Sequence, residues 1–172
     1  MDTQLAIASR RDEDPQGGGA IAPDVVERIL DAGRVSGSGS NRQPWTFVLV
    51  EDPGLLGRLA PAVYEPDNVR LAGFAVGVLV SGKGPTSFDA GRASQNMLLA
   101  AWNEGLISTP NGINDEAIAR AELGAAEEER PVTVLTFGRP RRFREPERLS
   151  PVEWSARANR KPLDEIVRRG GR

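Results

Sequence analysis

The sequence predicts a single globular α+β domain in which helices flank a central sheet, and three observations support this prediction. Helical and strand-like patterns alternate along the chain without the regular strand–helix–strand repeat of a parallel sheet. The 172 residues are enough for one domain with its own core. Hydrophobic residues make up 39% and charged residues 27%, as in globular rather than disordered proteins. We therefore expect a single domain over residues 1–172.

Hydrophobic periodicity and turn residues place the individual elements. Pro23 opens the second helix, and Asp52-Pro53-Gly54 ends the first strand. Residues 12–19 and 125–130 form loops, because the first is polar and glycine-rich and the second is charged. The predicted strands are 46–50, 74–80 and 132–137. The predicted helices are 1–9, 24–34, 55–63, 87–104, a short helix that is capped by Asn114-Asp115 and ends at Leu123, and 162–169.

The helix over residues 87–104 has the clearest periodicity. Its glycine and alanine content allows neighbouring elements to approach closely, so we expect a central helix that also contacts a second copy of the chain. The apolar residues at helical spacing are Ala90, Ala93, Met97, Leu98, Ala101 and Trp102.

Composition excludes several classes of enzyme. Without cysteine there is no thiol nucleophile, thiolate metal site or disulfide, and without histidine there is no Ser-His-Asp triad or imidazole metal site. These absences fit a redox enzyme whose cofactor does the chemistry. No apolar run approaches the roughly 20 residues that span a bilayer, and the N-terminus has no signal-peptide pattern. We expect a cytoplasmic protein with no membrane contact and no metal.

Charge is unevenly distributed along the chain. Residues 139–172 carry ten arginines and one lysine against five acids, which gives this C-terminal arm a charge of +6. We favour a tail that packs on an acidic body or on a partner subunit. A contact with phosphate or nucleic acid is the alternative.

The segment from Ser36 to Trp45, SGSGSNRQPW, leads into the first strand and is the most informative part of the sequence. Glycines let a ligand approach the backbone, and serine and asparagine groups can hold a flat polar ring. An ordinary mobile turn is the alternative. The segment from Ser81 to Ser87, SGKGPTS, lacks the spacing of a phosphate-binding P-loop, so we interpret it as a connecting loop.

Several motifs together resemble the nitroreductase family of flavin enzymes. Ser36–Trp45 resembles the first signature of that family, in which a serine-rich loop precedes Asn-x-Gln-Pro-Trp and a strand. The order and spacing agree over most of the chain. The other matching stretches are Asp89–Trp102 followed by Glu104-Gly105-Leu106 and Pro110-Asn111-Gly112, Val132–Phe137 followed by Gly138-Arg139-Pro140, and Arg160-Lys161-Pro162-Leu163.

The resemblance implies a nitroreductase-like fold with a mixed or antiparallel sheet, in an interlocked homodimer that holds flavin mononucleotide (FMN) at the interface. In that family the Asn41 and Gln43 positions lie near the pyrimidine edge of the flavin, although here both residues could simply tie the turn to the backbone. We expect Trp45 to pack in the core. The implied cofactor-binding residues are Arg10, Arg11, Ser38, Gly39, Ser40, Asn41, Gln43, Asn68 (with Arg70 as a substitute), Pro110, Asn111, Gly112, Arg160 and Lys161.

The resemblance also implies an activity. The backbone of Asn111 and Gly112 would support flavin N5, which receives a hydride from NADH or NADPH and passes it to a small acceptor such as a nitroaromatic, quinone or enone. No side chain need act as a nucleophile. A simple turn is the alternative for Pro110-Asn111-Gly112.

The chain departs from the family at its phosphate motif. Asp12-Glu13-Asp14 follows Arg10 and Arg11 where the family has a serine and a further cation, and a buried carboxylate beside a phosphate is repulsive. The loop could turn away, or Arg160 and Lys161 could bind the phosphate. The alternative function is a catalytically degenerate member of the fold that binds a ligand or partner without flavin turnover.

Overall fold

The computed structural model of the protein describes residues 1–15, 19–142 and 144–170. Parts of the predicted loop 12–19 and of the Arg-rich arm 139–172 therefore lie outside the described residues. The chain divides into two compact units, Arg11–Arg144 and a smaller unit that combines Met1–Arg10 with Glu145–Arg172. The expectation of one domain over residues 1–172 remains a prediction.

A four-stranded antiparallel sheet forms the centre of the larger unit. Its strands are β1 (Trp45–Val50), β2 (Phe74–Val80), β3 (Ile107–Gly112) and β4 (Arg130–Gly138), in the order β1-β2-β4-β3. The three predicted strands are confirmed as β1, β2 and β4. β3 was not predicted as a strand.

Helices flank this sheet, which confirms the predicted α+β class. The third helix ends at Leu59, and a 3₁₀ turn over Ala60–Ala62, which contains Pro61, replaces the end of the predicted helix 55–63. The predicted helix 162–169 is shorter than expected, at four residues. No helix of the described residues is long and apolar enough to cross a bilayer. The helices are α1 (Thr3–Ser9), α2 (Pro23–Arg34), α3 (Pro53–Leu59), α4 (Pro66–Arg70), α5 (Thr86–Asn103), α6 (Glu116–Glu122), α7 (Pro151–Arg157) and α8 (Leu163–Ile166).

The core has two layers, because alternate side chains of β2 and β4 point to opposite faces of the sheet. On one face, β2 and β4 pack with α2 and α5, and Phe74 stacks on Phe137 with ring centroids 4.6 Å apart. On the other face they pack with the segment from α3 to α4 and with α6. Gly77 of β2 allows close approach here, since a Cβ at this position would lie 2.5 Å from a methyl carbon of Leu123.

Arg28 connects two helices of the first layer. Its guanidinium donates to both carboxylate oxygens of Glu104 at 2.9 and 3.0 Å, just beyond the C-terminus of α5, and to Asp24 at 2.9 Å within α2. The hydrogen bonds from Arg28 lower the pKa of Glu104 and the pKa of Asp24. In turn, the two carboxylates raise the pKa of Arg28.

β3 lies at an edge of the sheet, which explains why the sequence did not reveal it. It contains Pro110, and proline is accepted in edge strands when its missing N–H faces away from the neighbouring strand. The carbonyl oxygen of Ser108 accepts from the N–H of Glu13, and that of Gly112 accepts from the N–H of Tyr64. Residues 108, 110 and 112 therefore turn their backbone polar groups away from β4. Pro110 costs the sheet no hydrogen bond.

The smaller unit is held by helix caps and by contacts between its helices. The carboxylate of Asp2 accepts from the N–H groups of Gln4 and Leu5 at the start of α1. Ser150 and Glu153 form a capping box at the start of α7. Helices α1 and α7 pack against each other.

Candidate functional site

The loop before β1 has an unusual backbone. Ser40, Asn41 and Gln43 adopt φ values of 53°, 55° and 49°, in the left-handed region that side chains other than glycine and asparagine seldom enter. For Ser40 and Gln43 this conformation costs roughly 1–2 kcal/mol each. Strained backbone of this kind concentrates at ligand sites, which supports a binding role for the loop.

Two polar side chains fix the shape of this loop. The hydroxyl of Ser38 accepts from the N–H of Gln43 at 2.8 Å, and the side-chain amide of Gln43 donates to the carbonyl oxygen of Asn41 at 3.3 Å. The N–H of Gly39 donates to buried Asp89 at 3.1 Å. Gln43 thus makes the backbone contact that was the alternative to a flavin contact.

The side chains of Ser40 and Asn41, in the same loop, remain available. Ser40 and Asn41 are exposed, and their side chains have no hydrogen-bond partner among the residues that the structure describes. Their donors and acceptors can therefore meet a polar ring without breaking an existing contact. The loop combines a fixed frame with two open polar groups.

Asn111 lies at the centre of a buried network at the end of β3. Its side-chain oxygen accepts from the amide of Asn68 at 3.0 Å. Its side-chain nitrogen lies 2.9 to 3.1 Å from the hydroxyl of Thr136 and from the carbonyl oxygens of Thr109 and Val134. Asn68 and Asn111 are both buried, so these two predicted site residues direct their amides at the protein itself.

Gly112 presents its backbone differently from Asn111. Asn111 pairs with Val134 in the ladder, and the alternation of the strand turns the N–H of Gly112 toward the outer edge of the sheet. The ring of exposed Tyr64 lies beside Gly112, because a Cβ at that glycine would be 3.2 Å from the ring. Of the two predicted N5 contacts, Gly112 therefore has the N–H that points away from β4. No motif in the sequence points to Tyr64.

The two predicted flavin segments lie at opposite edges of the sheet. The loop 38–43 precedes edge strand β1, whereas Pro110 to Gly112 belong to edge strand β3. Three strand spacings separate these edges, which is about 14 Å. The register places the start of β1 and the end of β3 at the same end of the sheet.

The acidic run after Arg11 is held against the edge of β3. Asp12 forms a parallel bridge with Ser108, and Asp14 accepts from the hydroxyl of Thr109 at 3.3 Å. Glu13 pairs with Arg144, whose guanidinium also lies over the ring of Trp102. Partial burial lowers the pKa of Arg144. The run is therefore fixed to the sheet, and Arg144 was not predicted to hold it.

The four predicted phosphate cations belong to different parts of the chain. Arg10 ends the first segment of the smaller unit, and exposed Arg160 and Lys161 lie between its helices α7 and α8. Half-buried Arg11 begins the larger unit. Their role at a phosphate stays a prediction. Across the described ranges, no group of acidic side chains is arranged to hold a metal ion.

Known proteins resemble this chain over ranges that include the loop 38–43 and residues 110–112. The model of a family described as the nitroreductase family matches residues 19–70 and 86–139. A protein from Desulfovibrio desulfuricans, assigned as a nitroreductase and solved in complex with FMN, is 25% identical, with a TM-score of 0.82 over 99% of this chain and 98% of that chain. A nitroreductase family protein from Clostridium difficile 630 shares the fold at 23% identity and a TM-score of 0.79, over 98% of each chain.

A curated relative matches over a shorter stretch. Iodotyrosine deiodinase of Haliscomenobacter hydrossis is 35% identical over 57 residues, which are 31% of this chain. The match spans only 26% of that relative's own length.

Proposed function

This chain belongs to the nitroreductase family, and from that premise we propose that it is an FMN-dependent oxidoreductase. In this proposal NADH or NADPH is the electron donor, and a small nitroaromatic, quinone or enone is the acceptor. When bound, FMN supplies the hydride chemistry, which fits a chain that has neither cysteine nor histidine. The relative solved with FMN supports the cofactor.

The loop before β1 carries the proposal. Asn41 would contact the polar edge of the flavin and Ser40 its ribityl chain, since both side chains are exposed and have no partner among the described residues. Ser38 and Gln43 would act indirectly by holding the loop in its strained shape. At the other edge of the sheet, the N–H of Gly112 is the donor that would face flavin N5.

The separation of the two segments supports a site shared by two copies of the chain. A loop and a strand end about 14 Å apart, with two strands between them, are poorly placed to contact the same edge of one ring system. In the proposed homodimer, the loop 38–43 of one copy faces the β3 edge of the other. Each dimer would hold two such sites.

Flavin content of the purified protein tests the proposal. We expect a yellow protein whose flavin absorbance is bleached anaerobically by NADPH or NADH. Asn41→Ala should weaken FMN binding about tenfold, because one charge-neutral polar contact and the strained conformation are both affected. Asn41→Gly separates these effects, since glycine keeps the left-handed backbone and removes only the amide.

The surface amide Gln4 provides the control, and Gln4→Ala should bind FMN like the natural chain. Unchanged affinity in both Asn41 variants would reject the assigned role of this residue. A protein that stays colourless after incubation with FMN would reject the proposed function.

The fixed acidic run favours a second candidate function. Asp12 and Asp14 are exposed and held along β3, close in sequence to the arginines expected at the phosphate. Their charge would oppose a bound phosphate. A protein that retains the fold but binds another ligand or partner without flavin turnover is therefore the alternative, and failure to take up FMN would favour it.

A further inference from the structure

A small cavity opens beside the loop that precedes β1. Its volume is about 300 Å³, and it lies between this loop and the connection from β2 to α5. That volume is at the lower end of the range for small-molecule sites, so the cavity suits one polar end of a ligand. The charged and polar side chains in its wall are Arg42, Gln43, Ser81, Lys83, Thr86 and Asp89.

Two cations from separate loops meet at this cavity. Lys83 lies between Gly82 and Gly84, which adopt φ values of 83° and 104°. This left-handed backbone, which favours glycine on both sides, shapes the turn that carries Lys83. The ammonium group of Lys83 has no partner among the described residues. Arg42 contacts the carbonyl oxygens of Gly39 and Lys83 through Nε and Nη1, which leaves Nη2 available.

The carboxylate in the wall does not cancel these charges. Asp89 is 5% exposed, and one of its oxygens accepts from the N–H of Gly39. The other oxygen lies 3.8 Å from Arg92, which balances its charge. The cavity is therefore electropositive, and α5, which begins at Thr86 without a side-chain cap, adds the positive end of its dipole.

We propose that this cavity binds a phosphate monoester through Lys83 and Arg42. An ammonium and a guanidinium group that face the same space suit a dianion, and the hydroxyl of Thr86 can donate to a further oxygen. Two ligands of the proposed function carry this group, FMN at its 5′-phosphate and NADPH at its 2′-phosphate. The identity of the ligand therefore rests on the proposed function, whereas phosphate binding itself does not.

Inorganic phosphate tests the site without any cofactor. Thermal unfolding of the full chain should shift upward in phosphate relative to chloride at matched ionic strength. Lys83→Gln should weaken the apparent phosphate affinity about tenfold, and Lys83→Arg should restore part of it. The exposed cation Arg34, which pairs with Asp31 on α2, supplies the control Arg34→Gln, which should respond like the natural chain. Equal stabilisation of the natural chain and Lys83→Gln would overturn the inference, as would no stabilisation of either.

Two affinity ratios then identify the ligand. If the phosphate belongs to FMN, Lys83→Gln lowers affinity for FMN and leaves that for riboflavin unchanged. If it belongs to NADPH, the substitution lowers kcat/KM for NADPH and not for NADH. Unchanged ratios in both pairs would reject a nucleotide ligand. A protein that binds phosphate but no flavin would refute the proposed function alone.

Discussion

At the scale of single residues, the side-chain amide of Asn111 connects the end of β3 to α4 and β4. It accepts from Asn68 of α4 and donates into β4, so one side chain fixes the position of the strand end that leads to Gly112. Asn68, which the resemblance assigned to the cofactor, is directed at Asn111. Its influence on a ligand would therefore pass through the backbone of β3.

Removing the amide of Asn68 tests this connection. Asn68→Ala leaves the side-chain oxygen of Asn111 buried without its donor, which should lower the free energy of unfolding by about 1–3 kcal/mol. Urea unfolding measures the change. Asn114→Ala removes an exposed asparagine nearby and should have little effect. If both variants unfold at the same urea concentration as the natural chain, the bond does not hold the strand end.

At the scale of elements, Arg28 joins α2 to the end of α5 through Glu104. The pKa of Glu104 is lowered in the folded protein, chiefly by the hydrogen bonds from Arg28. A carboxylate with a lowered pKa stabilises the fold above its unfolded pKa, and this contribution is lost as the pH falls through the lowered folded value. The same sign holds for Asp24.

Arg28→Met should therefore reduce stability most at neutral pH. The difference in unfolding midpoint between the natural chain and the variant should shrink as the pH falls below the ordinary glutamate pKa of about 4.3. Urea unfolding at neutral pH and near pH 3 measures it, and Arg34→Met serves as the control on the same helix. A difference that is constant with pH would show that Arg28 acts through packing alone.

The elements also show how far the sequence predicts this fold. Strands β1, β2 and β4 and the long helix α5 were predicted because each has a clear hydrophobic pattern. β3 was not, since Ser-Thr-Pro-Asn-Gly has the composition of a turn and is a strand only through pairing with β4. α7 depends on a capping box and on contact with α1 rather than on an apolar face.

The candidate site likewise has features that the sequence predicts and features that it does not. The loop 38–43 could be recognised from its serines, glycines and amides. Its strained backbone could not be predicted, and neither could the bonding of Ser38 and Gln43 to the backbone of the loop. The pairing of Glu13 with Arg144 could not be predicted either, because these residues are far apart in the chain and meet only in the fold. Long-range pairs of this kind leave no local pattern.

At the scale of the whole molecule, the proposed site depends on two copies, and mixed dimers test this. Asn41→Ala should damage the loop half of the site, and Gly112→Pro should remove the N–H of the β3 half. We expect each variant alone to bind FMN weakly. A dimer of one chain of each variant, isolated with two different tags, should hold one intact site and bind about one FMN per dimer.

The tagged natural dimer should bind two FMN under the same conditions. If both halves of a site came from the same chain, every site in the mixed dimer would carry one substitution. Occupancy would then be as low as in the single variants, and the shared site would be refuted.

The outer edge of β3 also limits pairing of this strand with a strand from another molecule. Glu13 and Tyr64 occupy the carbonyl groups at Ser108 and Gly112, and Pro110 has no N–H to offer between them. A foreign strand would meet too few vacant donors and acceptors to extend the sheet, which is how natural proteins discourage fibril-like stacking. The proline that made β3 hard to recognise in the sequence thus also weakens the β3 edge as a template for a foreign strand.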